Sequence, residues 1–475
     1  MKHLSKLIFL FMLSLTQITI AEIKLPSIFS DNMLMQQNTQ VNIWGKADAN
    51  KTVTILTSWS KTPVKTEADK NGNWKTSFKT PIADGKKYTL TITDGKALTL
   101  NNVIFGELWL CSGQSNMEMP MKGFKNQQVD GSNMDILKSA NPDIRLFTVK
   151  RNSTIEAQNN VTGKWEEATS ESVRDFSATG YYFGRLMQQM LHVPVGLILS
   201  SWGGSCIEAW MTEDMLRAFP SVKIPKTEAD IKEKNRTPTT LYQAMIHPIV
   251  GLTIKGIIWY QGESNYDHAD TYAAMFKTMV ESWRTNWAQK DMIPFYYCQI
   301  APFDYGIITE KGKKVINSAY LREAQLKAES MIPQSGMAVL LDAGLEKGIH
   351  PRKKQIAGER LALLALTKTY GFKGVASESP VYSGIEIKGD TVIVSFERAP
   401  MWISANNFES KLFTVAGDDK VFHPAKAWIE RSKMYVKSDE VKKPVAVRYA
   451  FENYVDGDLY GSDGMPVSSF RSDNW

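Results

Sequence analysis

The chain has 475 residues, which is enough for two or three domains and a sizeable hydrophobic core. Its 56 basic and 50 acidic residues leave a net charge of only +6 and form no Lys/Arg run, which argues against nucleic-acid binding. The hydrophobic fraction of 43% is typical of a soluble globular protein and excludes a disordered or collagenous chain.

The first 21 residues have the pattern of a secretory signal peptide. Lys2 and Lys6 supply the positive start, residues 7–15 form an apolar stretch, and residues 19–21 (Thr-Ile-Ala) form a small-x-small cleavage site. The apolar stretch is too short to span a membrane, and no other segment is a candidate. We therefore expect residues 1–21 to be removed, leaving a charge of +4, and the mature protein to be exported to the periplasm or outside the cell.

The two ends of the mature chain predict β structure. Residues 22–103 are predicted to form a β-sandwich domain, because apolar residues alternate with polar ones, as at Tyr88, Leu90 and Ile92, between Asn-Gly and Asp-Gly turns. Residues 374–475 show the same alternation and predict a second β region.

Residues 104–373 predict a three-layer α/β domain around a parallel sheet. Runs that are apolar throughout, as in strands buried on both faces, alternate with segments of helical spacing. The predicted strands are residues 108–111, 193–199, 254–260, 295–300 and 338–341, and the predicted helices are residues 181–191, 269–287 and 354–366.

Polar groups follow four of the predicted strands. Ser115 lies in a Gly-Gln-Ser-Asn turn after the first strand, and Gly203 and Gly204 follow the second. Gln261 follows the third strand, and His350 comes shortly after the last. The carboxyl ends of parallel strands meet at one edge of the sheet, where ligands bind. Because acyl transfer needs a hydroxyl, an imidazole and N–H donors, this edge predicts a serine esterase.

The order of these groups along the chain resembles that in the SGNH (GDSL-like) hydrolases. The amino-acid sequences of the segments around them are similar to those of the sialate O-acetylesterase family of carbohydrate esterases. The resemblance extends over the mature chain. The matching segments are LPSIFSDNMLMQQ (25–37), GELWLCSGQSNMEM (106–119), SSWGGSCIEAWM (200–211), LYQAMIHP (241–248), IIWYQGESN (257–265), IHPRKKQIAGERLA (349–362) and the tail from Arg448 through DGMPVSSFRSD (463–473).

The resemblance implies specific roles. Ser115 would be the nucleophile and His350 the base. The oxyanion hole would combine the Ser115 N–H, the Gly204 N–H (or that of Gly203) and the side chain of Gln261, where the wider superfamily usually has Asn. The implied activity is removal of O-acetyl groups from sugars, with 9-O-acetylated sialic acids as the first candidates, through an acyl-enzyme.

The segment before His350 departs from the family pattern. Superfamily members commonly have an Asp three residues before the His, where this chain has Lys347. Glu346, Asp342 or a backbone carbonyl near Gly348 could orient the imidazole instead, and the sequence leaves these three open. A neutral orienting group stabilises imidazolium less well than a carboxylate, so it would leave His350 a weaker base.

No cofactor or metal is predicted, because the six His residues are scattered and neither zinc spacing nor a phosphate-binding Gly loop occurs. Cys111, Cys206 and Cys298 are expected to be buried free thiols. For Arg322, pairing with a substrate carboxylate or with an acidic neighbour stays open. Structural roles are favoured for His247, Glu263, Glu208, Trp202 and Trp210.

Other functions remain as alternatives. The substrate could be an acetylated plant polysaccharide such as xylan, because the oxyanion hole contacts only the acetyl carbonyl. A glycosidase would use paired carboxylates from Asp342, Glu346 and Glu263. A non-catalytic carbohydrate-binding protein would fit the two β regions and the 13 Trp residues.

Overall fold

The computed structural model describes residues 23–400, 402–405, 409–430 and 433–475, so the predicted signal peptide lies outside the described residues. The strands are β1 (Leu34–Gln36), β2 (Gln40–Lys46), β3 (Thr52–Thr57), β4 (Ser60–Glu67), β5 (Asn73–Lys79), β6 (Tyr88–Thr93), β7 (Ala97–Gly113), β8 (Asn141–Thr148), β9 (Trp165–Ala168), β10 (Val195–Ser201), β11 (Gly256–Tyr260), β12 (Phe295–Cys298), β13 (Ser335–Ala338), β14 (Val381–Lys388), β15 (Thr391–Glu397), β16 (Ile403–Ala405), β17 (Glu409–Ala416), β18 (Phe422–Glu430), β19 (Lys433–Lys437), β20 (Ala446–Tyr449), β21 (Leu459–Gly461) and β22 (Phe470–Arg471). The α-helices are α1 (Ser115–Glu118), α2 (Ser132–Leu137), α3 (Ser170–Asp175), α4 (Ala178–Leu191), α5 (Glu213–Leu216), α6 (Ala269–Trp287), α7 (Ala319–Met331) and α8 (Lys354–Lys368).

The centre of the molecule is a mostly parallel sheet with strand order β13-β12-β11-β7-β10-β8-β9. All neighbours in this order are parallel except β9, which pairs antiparallel with β8 at the edge. Strands β10, β11 and β12 are buried at every residue, as expected of strands that helices cover on both faces. The predicted mixed α/β fold with a parallel sheet is therefore confirmed.

Helices pack on both faces of this sheet, as strand β7 illustrates. Its Leu108 and Leu110 belong to the hydrophobic cluster that contains the buried faces of α6 and α7. The alternate residues Trp109 and Cys111 belong to a second cluster with α4 and α8. The alternation follows from the two-residue period of a strand, which sends successive side chains to opposite layers.

Strand β7 also continues beyond the central sheet. Its first half pairs antiparallel with β6 and parallel with β1, whereas its second half pairs with β10 and β11. The strand thus runs through the predicted domain boundary between residues 103 and 104. Toward the other end of the chain, β14-β15-β19-β18-β17-β20-β22 form a seven-stranded antiparallel sheet.

Arg322 joins helix α7 to the C-terminal tail. Its guanidinium is fully buried and donates to the Ser469 hydroxyl at 3.0 Å and to the Ala450 carbonyl at 3.2 Å, with further bonds to Asn453 and Glu452 carbonyls. Both earlier expectations for Arg322 are therefore wrong. Its partners are backbone carbonyls and hydroxyls rather than a carboxylate, and its guanidinium is 0% exposed and hydrogen-bonded within the protein.

Three further findings concern the described residues only. None of their helices is both long and apolar enough to cross a membrane. Their three cysteines are free, and Cys206, unlike Cys111 and Cys298, is only partly buried. Strand β13 ends at Ala338, so the strand predicted over residues 338–341 lies three residues too late.

Gly113 ends β7 in a conformation that only glycine adopts easily. Its φ is +135°, and a Cβ there would lie 2.2 Å from the Tyr260 carbonyl oxygen of the neighbouring strand. The next residue, Gln114, donates its N–H to that same oxygen at 2.9 Å, and α1 then begins at Ser115. The close approach of β7 and β11 therefore sets where Ser115 stands.

We expect Gly113→Ala to destabilise the fold by ~3 kcal/mol or more, because the methyl group adds both backbone strain and a clash with a main-chain oxygen. Thermal unfolding measures the loss. Gly85→Ala is the matched control, since Gly85 has φ +73° with open space around it, and the strain alone costs roughly 1 kcal/mol. Equal losses in the two variants would contradict this account of Gly113.

Candidate active site

Ser115 and His350 meet at the carboxyl edge of the parallel sheet. The His350 Nε2 lies 2.8 Å from the Ser115 Oγ, although 235 residues separate them in the chain. Ser115 is the first residue of α1, two residues after the end of β7, and His350 lies in the loop that precedes α8. The structure thus brings together the two residues predicted to be nucleophile and base, at a distance that allows direct proton transfer.

The second ring nitrogen of His350 contacts the side chain of Gln127. The Nδ1 atom is hydrogen-bonded to the Gln127 Oε1, and a carbonyl oxygen only accepts. Nδ1 therefore carries the proton in this arrangement, which leaves the Nε2 lone pair facing the Ser115 hydroxyl. This is the tautomer that a general base needs.

None of the three predicted orienting groups fills this position. Asp342 accepts two hydrogen bonds of 2.7 Å from the guanidinium of Arg360. Glu346 is exposed and lines a separate surface cavity together with Asp304 and Tyr454. A backbone carbonyl near Gly348 is not the partner either, because the hydrogen bond goes to a side-chain amide.

The Gln127 loop is fastened to the His350 loop at a second point. Arg352 makes an ion pair of 2.7 Å with Asp130, and its backbone carbonyl accepts the Asp130 N–H at 3.0 Å. The Phe124 ring packs edge-on against the His350 ring, with their centroids 5.2 Å apart. These contacts fix the position of the loop and so allow the exposed Gln127 to orient the His350 ring. No motif in the sequence marks Gln127, which lies in a polar loop 12 residues after Ser115.

The environment of His350 disfavours its charged form. Burial, with a smaller contribution from the positive charge of Lys354, lowers the pKa of His350 to about 4. The neutral orienting amide adds no negative charge to oppose this shift. His350 is therefore neutral, and able to accept a proton, throughout the weakly acidic and neutral range.

Two backbone N–H groups of the Ser115 segment and the glycine turn (Gly203 and Gly204) have no acceptor among the described residues. One belongs to Ser115, which as first residue of α1 has no intrahelical acceptor, and the other to Gly204, whose φ is +72°. The N–H of Gly203 is not available, because it donates to the Glu118 Oε2 at 2.7 Å. A Cβ at Gly203 would lie 3.2 Å from the Ser115 Cβ, so this glycine turn packs directly on the candidate nucleophile.

Gln261 does not offer a free amide hydrogen. Its Nε2 donates to the Ser205 carbonyl at 3.1 Å and to the Asn265 Oδ1 at 2.7 Å, and its Oε1 accepts from the Tyr272 hydroxyl at 2.8 Å. The expectation that this amide completes the oxyanion hole is not met, because both hydrogens are already engaged. Gln261 instead ties together the loops that follow β10 and β11.

Other polar residues hold the glycine turn. The Asn235 Nδ2 donates to the Gly203 carbonyl at 2.7 Å, a contact that the sequence did not suggest. Glu118 accepts from Arg151 at 2.6 Å as well as from Gly203, and the Arg151 guanidinium lies 5.7 Å from the centre of the Trp202 ring. These side chains act on the turn from outside it and fix the direction of its N–H groups.

The residues for which structural roles were favoured have contacts of that kind. Trp210 is fully buried and donates its indole N–H to the Ser205 hydroxyl at 2.9 Å. Glu208 accepts from the Asn265 amide at 2.9 Å, and His247 contacts the Gln158 carbonyl at 2.8 Å. In the part of the chain that the structure describes, no group of three or more His, Cys, Asp or Glu side chains is arranged to hold a metal ion.

Comparison with known proteins gives the family. Residues 106–354, more than half of the chain, match the family model described as "Carbohydrate esterase, sialic acid-specific acetylesterase". The chain belongs to this family.

Its relatives span most of its length. A carbohydrate acetylesterase from Xanthomonas citri of known crystal structure is 33% identical, with a TM-score of 0.86, and the match covers 96% of this chain and 100% of that one. The sialate O-acetylesterases of Homo sapiens and Mus musculus are 29% and 28% identical over 394 and 414 residues, covering 76% and 75% of this chain and 73% and 75% of theirs. This carbohydrate esterase is accordingly a carboxylic ester hydrolase.

We expect the acid limb of kcat/KM to lie near pH 4. The lowered pKa of His350 means that activity is retained below pH 6.5, where an ordinary histidine would already be protonated, and is lost only as pH falls through about 4. The pH dependence of acetate release from an aryl acetate measures the limb. A limb at pH 6 or above would contradict the neutral, partly buried base described here.

Gln127→Glu should move that acid limb upward by about one pH unit, because a carboxylate beside the imidazole favours its charged form. Gln127→Ala should leave the ring without its orienting acceptor and lower kcat about 10-fold. Lys125→Ala, an exposed change in the same loop, is the control. A Gln127→Glu profile that coincides with the wild-type profile would show that residue 127 does not contact the ring in solution.

Proposed function

We propose that this chain is an exported serine esterase that hydrolyses O-acetyl groups on sugars, with Ser115 as nucleophile and His350 as base. The observation that carries the proposal is the 2.8 Å contact between the Ser115 Oγ and the His350 Nε2. The other ring nitrogen, Nδ1, is hydrogen-bonded to the Gln127 Oε1. That arrangement needs only an ester carbonyl at Ser115 to begin acyl transfer.

In the first half-reaction, the Ser115 Oγ attacks the acetyl carbonyl carbon and its proton passes to the His350 Nε2. The carbonyl oxygen becomes an oxyanion, which the N–H groups of Ser115 and Gly204 stabilise by hydrogen bonds. The tetrahedral intermediate then collapses. The C–O bond to the sugar breaks, the sugar oxygen takes the proton from Nε2, and the acetyl group stays on Ser115.

In the second half-reaction, a water molecule attacks the acetyl-Ser115 carbonyl and gives a proton to the His350 Nε2. The same N–H groups hold the new oxyanion. Collapse breaks the bond to Oγ, which recovers the proton from Nε2, and acetate leaves. His350 thus ends each cycle in its starting tautomer, and its Nδ1–H donates to the Gln127 Oε1 throughout.

The substrate proposed first is a 9-O-acetylated sialic acid. This choice is supported by the family and by the names of the mammalian relatives, which are sialate O-acetylesterases. The Xanthomonas citri relative is named a carbohydrate acetylesterase without a stated sugar. Export of the mature protein is part of the proposal and is supported by the sequence of residues 1–21.

The glycosidase alternative finds little support in the positions of its three carboxylates. Asp342 is paired with Arg360, Glu346 lies at a separate surface cavity, and Glu263 is fully buried. A glycosidase needs two carboxyl groups that flank one scissile bond. A binding protein without turnover would have no need of a histidine held in the tautomer of a base.

Ser115→Ala should lower kcat for an aryl acetate by about 10³-fold or more, because the nucleophile is removed and only binding and the N–H donors remain. The matched control is Ser112→Ala, whose buried hydroxyl has no hydrogen-bond partner among the described residues and which should keep wild-type activity. Circular dichroism checks that both variants are folded. Retained turnover in folded Ser115→Ala would reject the proposal.

A panel of mono-O-acetylated sialic acids and acetyl-xylan identifies the sugar. If the proposed substrate is right, acetate release from 9-O-acetylated sialic acid has the highest kcat/KM, and Ser115→Ala abolishes it. A preference for acetyl-xylan would keep the esterase and replace the substrate. Cleavage of a glycosidic bond that survives Ser115→Ala would instead support a glycosidase.

A further inference from the structure

A buried lysine lies directly behind the Ser115–His350 pair. Lys354, the first residue of α8, is only 1% exposed, and its ammonium group donates to the Asn116 Oδ1 and lies 5.6 Å from the centre of the Tyr260 ring. Among the described residues, its hydrogen-bond partner is this amide oxygen, and the carboxylate that acts on its charge is that of Glu263. Because removing an ammonium ion from water is costly, a lysine here requires a compensating role.

Asn116 connects this lysine to a buried glutamate. The Asn116 Nδ2 donates to the Oε1 of Glu263, a carboxylate that is 4% exposed and whose Oε2 has no partner among the described residues. The amide thus stands between a hydrogen-bond donor and an acceptor, with its oxygen toward the lysine and its nitrogen toward the glutamate. Rotating the amide by 180° would replace both attractive contacts by repulsive ones.

The same amide group also joins the two halves of the candidate dyad. Asn116 directly follows Ser115, and its Nδ2 donates to the carbonyl of Ile349 at 3.1 Å, directly before His350. The Asn116 carbonyl in turn accepts the Thr179 hydroxyl at 3.0 Å, which fastens this segment to α4. One side chain therefore sets the spacing between the main chain at the nucleophile and the main chain at the base.

We propose that Lys354 and Glu263 are positioning residues, which act through Asn116 to hold the His350 loop against the Ser115 segment. The inference rests on the proposed function of Ser115 and His350. The Lys354 Nζ donates to the oxygen of the Asn116 amide and the Glu263 Oε1 accepts from its nitrogen, so the amide orientation is fixed and its Nδ2 faces the Ile349 carbonyl. Gln127 restrains the ring of His350 from the exposed side, and this network restrains its backbone from the buried side.

Lys354 also acts on His350 electrostatically. Its positive charge contributes, after burial, to the lowered pKa of His350. Burial lowers the pKa of Lys354 itself to about 7. The titratable groups that interact with it are Glu263 and Cys298, and both oppose this lowering. Removing the lysine should therefore raise the pKa of His350, an effect that a purely structural residue would not have.

The test is Lys354→Met, which keeps the length of the side chain and removes its charge and hydrogen bond. With an aryl acetate, we expect kcat to fall at least 10-fold with KM changed less than 3-fold, because a misplaced base slows chemistry rather than binding. The acid limb of kcat/KM should move to higher pH. Lys353→Met is the matched control, since the neighbouring Lys353 is exposed and contacts only the Asp342 carbonyl, at 3.4 Å.

A second variant covers the case in which Lys354→Met does not fold. Lys354→Met combined with Glu263→Gln leaves no unpaired buried charge, so it should recover thermal stability. If the pair positions His350, the double variant stays at least 10-fold below wild type in kcat. Methionine offers no donor to the Asn116 Oδ1, and the new glutamine amide can present either its oxygen or its nitrogen to Asn116, so the orientation of the Asn116 amide is no longer fixed. Recovery of wild-type kcat and acid limb together with stability would overturn the inference. Failure of the proposed function itself is distinguished by turnover that survives Ser115→Ala.

Discussion

The close approach of strands β7 and β11 is the constraint on which the site depends. β7 spans 17 residues, pairs with neighbours of both the N-terminal region and the central sheet, and ends at a glycine pressed against the Tyr260 carbonyl. No residue with a Cβ fits there without displacing a main-chain oxygen. The hydroxyl of Ser115 is therefore placed by backbone packing in the middle of the sheet, where neighbouring strands restrain it on both sides.

The imidazole is held in a different way, by polar side chains from loops and a helix terminus. Gln127 contacts its Nδ1, and Asn116 contacts the preceding carbonyl. Both groups are neutral amides, so they orient the imidazole ring without stabilising its charged form by an opposite charge. His350 is therefore a weak base, and activity is expected to persist at acidic pH. Both properties reflect the same low affinity of Nε2 for a proton.

Much of this arrangement could be read from the sequence, and the exceptions have physical reasons. Apolar runs located β10, β11 and β12 within a few residues, and helix α6 was predicted at its observed bounds of Ala269–Trp287. Because both residues follow predicted parallel strands, Ser115 and His350 were expected at the carboxyl edge of the sheet, where the structure places them. Local pattern is informative here because a parallel strand that is covered on both faces is apolar along most of its length.

Side-chain partners were less predictable. Gln127 sits in a polar loop whose conformation depends on the Asp130–Arg352 ion pair, a contact between residues 222 positions apart. The partners of Gln261 and Arg322 likewise come from distant segments, and a residue type alone does not say whether its hydrogens are already engaged. Whether a side chain finds hydrogen-bond partners depends on tertiary contacts, which produce no repeating pattern in the sequence.

The long separation of the dyad has a consequence for biosynthesis. A partly synthesised chain that already contains the serine still lacks the histidine 235 residues later, and helix α7 still lacks the carbonyls at residues 450–453 that receive the Arg322 guanidinium. Contacts of such high sequence separation form late, after the loops between them have closed. Under the proposed mechanism, hydrolytic competence is consequently acquired only when nearly the whole polypeptide has been synthesised and folded, and in incomplete translation products the Ser115 hydroxyl lacks its base.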